Sequence, residues 1–108
     1  MKSVRIKENA WIAKIAAKKL GVAQLAIVIG RTIFLHNVSE IQFLSNKRWL
    51  MHELKHVAQY EEHGMIGFLC KYIFESIKSG YRQNKYEVAA RKAETDESLL
   101  TRYKVLMK

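Results

Sequence analysis

The sequence predicts an α+β fold, mostly helical, with one short β-hairpin packed beside a central helix. Three observations carry this. Proline is absent and only five glycines punctuate 108 residues, so helices can run with short connections. Apolar residues recur at helical spacing in several separate segments. Two short runs rich in β-branched residues flank Gly30-Arg31, which is the pattern of a tight hairpin. The length suits a single domain spanning 1–108, with one modest core.

The first helix is expected from Glu8 to Leu20. Trp11, Ile12, Ile15, Ala16 and Leu20 lie on one side, Lys14 and Lys18 on the other, and Gly21 ends it. Ala23 to Ile29 and Thr32 to Leu35 are the hairpin strands. Ser39-Glu40-Ile41-Gln42 has the form of a capping box for a helical turn. The central helix starts after Asn46 or Ser45 and stops at Gly64. Met65 to Ile77 is strongly apolar and is expected to pack on the central helix, with Ser79-Gly80 closing it. Tyr81 to Lys85 is a polar connector, and Tyr86 to Glu97 is a further helix. Ser98 to Lys108 either continues as helix or frays.

The central helix carries the chemistry. His52-Glu53-Leu54-Lys55-His56 reads H-E-x-x-H. On a helix, positions i and i+4 share a face, so His52 and His56 can grip one divalent metal, with zinc the expected ion. Glu53 points to the adjacent side, where it can act as general base on water activated at the metal. The surroundings support this. Leu50, Leu54, Val57 and Glu61, flanked by Met51 and Ala58, form a largely apolar stripe. Trp49, His52, His56, Gln59 and His63 form a second one. Imidazoles left unpaired in a half-buried stripe are costly, and a metal satisfies them.

A formal net charge of +9 favours anionic partners, yet the basic residues are scattered. No helix-turn-helix signal and no aromatic-rich basic strand is present, so nucleic-acid binding takes second place. Cys70, the only cysteine, lies among Phe68, Leu69, Tyr72 and Ile73 and is expected to be a core thiol. No secretory signal and no transmembrane stretch is evident, which points to the cytoplasm, with export by a non-classical route left open. A membrane-surface role for Met65 to Ile77 is a minority reading, because it requires a large apolar face left exposed.

A catalytic zinc commonly has three protein ligands and one open position. A ligand soon after His56, such as Glu62 or His63, would need the helix to turn. The metzincin layout has a glycine three residues after the second His and another His at the sixth, where this chain has Gln59 and Glu62, so that reading is discounted. His63 itself lies about 10 Å along the helix from His56, too far to share a metal, though it can line the cleft. Glu75 and Glu87 remain as candidates from later helices. Glu87 has small neighbours that permit close packing, and Glu94, on roughly the same face, can act as a supporting carboxylate.

Three segments carry a family resemblance over about two-thirds of the chain. They are Ile27-Val28-Ile29-Gly30-Arg31-Thr32-Ile33-Phe34-Leu35, then His52-Glu53-Leu54-Lys55-His56-Val57-Ala58-Gln59-Tyr60, and last Gly80-Tyr81-Arg82-Gln83-Asn84-Lys85-Tyr86-Glu87-Val88-Ala89-Ala90. Together they resemble small bacterial zincins of the gluzincin type, including the core metallopeptidase domain of contractile-injection-system effectors. The resemblance implies a minimal zincin-like domain and a Glu from the last segment, here Glu87, as third ligand. Lys85 replaces a proline usual in that segment, and Ala89 replaces a common acidic residue.

The resemblance and the residues together imply a zinc metallopeptidase that hydrolyses peptide bonds. Zinc is held by His52, His56 and Glu87, and Glu53 shuttles the proton. The strand Thr32 to Leu35 is expected to receive an extended peptide or protein substrate. Tyr81, Tyr86 and His63 are candidates for stabilising the oxyanion. The alternatives are a non-catalytic zinc-stabilised binding module, a basic nucleic-acid-binding protein, and one domain of a larger assembly docked through Met65 to Ile77.

Overall fold

The computed structural model describes residues 2–106 and is an α+β fold, mostly helical around one small mixed sheet. The strands are β1 (Lys2–Lys7), β2 (Leu25–Ile29), β3 (Thr32–His36) and β4 (Tyr103–Leu106). The helices are α1 (Trp11–Leu20), α2 (Glu40–Ser45), α3 (Lys47–His63), α4 (Met65–Ser79), α5 (Lys85–Lys92) and α6 (Ser98–Arg102), with a 3-10 turn at Ala93–Thr95. Sheet order is β2-β3-β1-β4.

The hairpin forms as its residues dictate. Ile29 pairs with Thr32 across the turn, and Gly30 supplies the positive φ of +64°. An added Cβ at Gly30 would meet the flexible tip of Met65, whose Cε lies 2.8 Å away and would have to shift, and the positive φ would strain it further. The hairpin tip is thereby seated against the start of α4. Ser39 caps α2 with a full capping box, its hydroxyl accepting from the Gln42 N–H at 3.1 Å.

Several expectations are corrected. Lys2–Lys7 is a strand, running parallel to both β3 and β4. Its alternation is plain: Val4 and Ile6 are buried while Ser3, Arg5 and Lys7 face solvent. The helix expected from Glu8 begins only at Trp11, because Asn9, at φ +51°, breaks the chain after β1. Glu8 instead accepts the Glu40 N–H at 2.6 Å. In α1 the core takes Ala13 and Ala17, whereas Trp11 and Ile15 project outward on the same side as the lysines. Of the segment expected from Ser98 to Lys108 as helix or frayed end, Ser98–Arg102 is helical as α6, Tyr103–Leu106 is instead strand β4, and 107–108 lie outside the described residues.

The strand β3, expected to receive substrate, is internal to the sheet. The edge on the hairpin side is β2. Cys70 is exposed, because α4 turns Phe68 and Glu75 inward and Cys70 outward. Glu61, placed by its spacing on the core stripe, is only partly buried and pairs with Lys2 and Tyr103.

α3 packs between the sheet and α4 and α5, while α1 lies directly on β2 and β3. Its inward stripe is Leu50, Met51, Leu54, Val57 and Ala58, all buried with Val4, Ile33, Leu35 and Phe43. Tyr60, Phe68 and Tyr86 interlock edge to face and join α3, α4 and α5, with ring centroids 4.6 and 5.0 Å apart. This packing fixes the helix whose other stripe carries the histidines.

Candidate metal centre

α3 starts cleanly because the Asn46 side chain accepts the Trp49 N–H at 3.1 Å, and it ends where Gly64 adopts φ +81°. His52 and His56 lie one turn apart on the same face, their rings edge to face with centroids 5.2 Å apart. Glu87 reaches them from the first turn of α5. Among the described residues, His52, His56 and Glu87 are the group of three whose donor atoms can share a metal, all within 4.8 Å of one another. Glu87 Oε1 lies 3.1 Å from His52 Nε2 and 3.3 Å from His56 Nε2. Tetrahedral coordination at zinc distances separates donors by about 3.4 Å, so this spacing fits.

The outer ring nitrogens are committed elsewhere. His52 Nδ1 lies 2.9 Å from Glu94 Oε2, and His56 Nδ1 lies 2.8 Å from Gln59 Oε1. A carboxylate and an amide oxygen can only accept, so each Nδ1 carries the proton. Two neutral imidazoles held this way aim their Nε2 lone pairs at a carboxylate oxygen. That arrangement is repulsive unless a cation sits at its centre. Extra protons or a metal ion can supply the charge.

The electrostatics of these residues reflect this demand. Burial opposes charge on His52, but the Glu87 and Glu94 hydrogen bonds and the nearby Glu53 carboxylate outweigh it and raise its pKa to about 9. His56 is shifted upward against the same burial, by Glu87 and Glu53. Burial would raise Glu87 too, but hydrogen bonds from both histidines and from Tyr72 hold it far below the usual carboxylate range. Glu53 behaves oppositely. It is buried without a hydrogen bond from either histidine, and burial pushes it up to about 7, against the opposing charges of His56 and His52. The Trp49 indole donates to Glu53 Oε2 at 3.2 Å and fixes its orientation.

Three supporting residues are not evident from the sequence in these roles. Tyr72 of α4 donates its hydroxyl to Glu87 Oε2. Gln59, besides holding His56, donates to the Tyr86 carbonyl at 3.1 Å and so ties α3 to α5. Asn84 is fully buried; it caps α5 by accepting the Tyr86 N–H at 2.9 Å and donates to the Tyr72 carbonyl and Ser76 Oγ. Signals exist for two of them: Gln59 lies one helical turn after His56, and Asn84 stands three residues before Glu87 as an N-cap does. Lys85 occupies the first position of α5, where proline is tolerated but not required, so its replacement there leaves the cap intact.

The other candidates are placed apart. Glu75 is buried in α4 outside the cluster. His63 stacks on Phe68 and meets Lys71 at 3.1 Å. Tyr86 is locked in the aromatic core. Tyr81 is the one oxyanion candidate that borders the site: it lines two cavities together with His52 and Glu53. One cavity, about 450 Å³, is partly polar and reaches Arg48 and Glu94. The other, about 370 Å³, is an apolar groove between α1, β2 and α4. Leu25 and Ala26 of β2 line both, so the two form one cleft along that edge strand. A larger depression of about 590 Å³ around Lys2, Lys55 and Glu61 contains none of these residues.

The family model described as the eCIS core domain matches residues 1–64, and the chain belongs to that family, the contractile-injection-system core family. The match takes in His52, Glu53 and His56 and stops before Glu87. No curated protein and no solved structure matches the chain significantly.

Proposed function

We propose that this eCIS core chain is a zinc-dependent peptidase, with His52, His56 and Glu87 as metal ligands and Glu53 as general base. The observation that supports it most is the convergence of His52 Nε2, His56 Nε2 and Glu87 Oε1 with both Nδ1 protons already committed. Zinc, when bound, supplies Lewis acidity that polarises a peptide carbonyl and acidifies water.

The chain's own residues supply the rest. Glu53, buried beside both histidines and with one oxygen held by Trp49, takes a proton from the attacking water and passes it to the leaving amine. The edge strand β2 offers unpaired backbone groups to an extended peptide or protein substrate, in the role the sequence suggested for β3. Tyr81, which borders the cleft, donates its hydroxyl to the oxyanion. Gln59, Glu94 and Tyr72 position the three ligands.

The test is elemental analysis of purified protein with parallel peptide-library cleavage. About one zinc per chain is expected. It should be lost in His52→Ala and His56→Ala, and kept in Glu53→Gln together with loss of cleavage. Stoichiometric zinc in both histidine variants would remove the metal assignment. Undiminished cleavage by Glu53→Gln would remove the base.

A further inference from the structure

Ten of the thirteen large apolar side chains exposed among the described residues come from two segments, Trp11 to Val22 and Met65 to Ile77. The helices in those segments border one groove, with Ile12, Ala16 and Leu20 of α1 on one wall and Leu69 and Ile73 of α4 on the other. On α4 the core takes Phe68 and Glu75, and the opposite face presents Ile66, Ile73, Phe74 and Ile77, the last 81% exposed. On α1 the core takes Ala13 and Ala17, and Trp11 stands 73% exposed. The exposed apolar face that a membrane-surface helix requires is therefore present.

The exposed charge on these helices is of one sign. Lys14, Lys18, Lys19, Lys71 and Lys78 are all exposed or half-exposed, and the only carboxylate in either helix, Glu75, is buried. Trp11, Lys14, Ile15 and Lys18 fall at i, i+3, i+4 and i+7, so lysines and apolar side chains share one outward face. A dry protein interface would have to bury those ammonium groups. At a bilayer surface the apolar side chains enter the acyl boundary while lysine stems extend to the headgroups. A net charge of +9 selects an anionic surface.

We infer that the outward faces of α1 and α4 form a docking surface for an anionic lipid bilayer. Trp11, Ile66, Phe74 and Ile77 enter the interface, and the five lysines meet the headgroups. The association is peripheral, since no helix among the described residues is long and apolar enough to cross a membrane. The surface flanks the groove that leads to His52 and Glu53, yet vesicle binding can be read without metal and without peptidase activity.

The test is flotation of the full chain with vesicles of phosphatidylcholine alone and of phosphatidylcholine with phosphatidylserine. Binding to the mixed vesicles is expected to be at least about tenfold tighter and to weaken as salt is raised. Phe74→Glu with Ile77→Glu should weaken it by more than about tenfold, since two large apolar groups are lost from the interface. Lys71→Glu with Lys78→Glu should weaken only the preference for the anionic vesicles. Both pairs project into solvent, so the thermal melt should not move. No binding to mixed vesicles, or binding that survives both double substitutions, would overturn the inference. So would a dimer that Phe74→Glu with Ile77→Glu dissociates while vesicles stay unbound, because the face would then belong to a second copy.

Discussion

His52 Nδ1 lies 2.9 Å from Glu94 Oε2, and this pairing turns the other ring nitrogen of His52 toward Glu87. Glu94 comes from the 3-10 turn after α5, so the two carboxylates facing opposite sides of one imidazole lie on consecutive pieces of chain. Glu94→Gln keeps an acceptor but removes the charge that favours the Nδ1 proton. Zinc affinity should fall by about ten- to a hundredfold, as for other outer-shell carboxylates. Competition with a chromogenic chelator measures it, and an unchanged affinity would show that the ring needs no such partner.

Glu87→Ala and Glu75→Ala separate the two glutamates that spacing left open. Glu87→Ala should abolish stoichiometric zinc. Glu75→Ala should leave it, because Glu75 stands outside the cluster. Calorimetric titration of both variants decides between them.

Tyr81→Phe removes a hydroxyl that borders the cleft beside Glu53. Zinc content should be unchanged. Turnover should drop by about a hundredfold with little change in KM, the signature of a donor used in the transition state. Equal losses of turnover and zinc would instead make Tyr81 structural.

The metal-free protein should lose stability as pH rises. His52, with its pKa raised to about 9, contributes stability that is complete below about 6.5 and is lost as pH climbs through 9. Glu53, raised to about 7, acts in the same direction, because its protonated form is the one the fold favours. Glu87, shifted downward, works against them only in acid: its contribution is present above about 4.5 and fades as pH falls. With zinc the trend should reverse between about pH 5.5 and 8, because binding requires both imidazoles to give up their extra protons. Thermal melts with chelator and with excess zinc, run across that range, reveal the crossing.

Leu54→Ala opens a cavity in α3 directly beneath the histidine stripe, at a fully buried position. A loss of about 2–5 kcal/mol is expected from chemical denaturation. The same substitution should loosen zinc binding, since Leu54 holds the helix that presents His52 and His56.

Much of the site is legible in the sequence because its signals are local. Caps at Asn46 and Gly64, the inward stripe from Leu50 to Ala58, and the spacing of His52 and His56 all lie within one helix. Glu94 can be singled out for the same reason, since it follows Glu87 at helical spacing. What escapes depends on distant partners. Lys2–Lys7 holds only two apolar residues and is a strand because β3 and β4 flank it, the latter from the other end of the described chain. The edge role moves from β3 to β2 for the same cause, because β1 covers the outer side of β3. Tyr72 cannot be assigned from α4 alone, since its hydroxyl partner sits on α5. Trp11 misleads because large apolar residues on an amphipathic helix are expected to define the buried side, whereas two alanines do so here.

The pairing of β1 with β4 also sets how the molecule bears mechanical load. The strands run in the same direction in the register Lys2 to Tyr103 and Arg5 to Leu106. Tension drawn through the beginning of β1 and the far end of β4 pulls the neighbours in opposite senses along their lengths. The ladder bonds between them are then strained together in shear and cannot be broken singly. Forced extension between these two points should meet its greatest resistance at the outset, before α3 or the histidines are disturbed, with the rate of rupture governed by the unfolding barrier at that clamp.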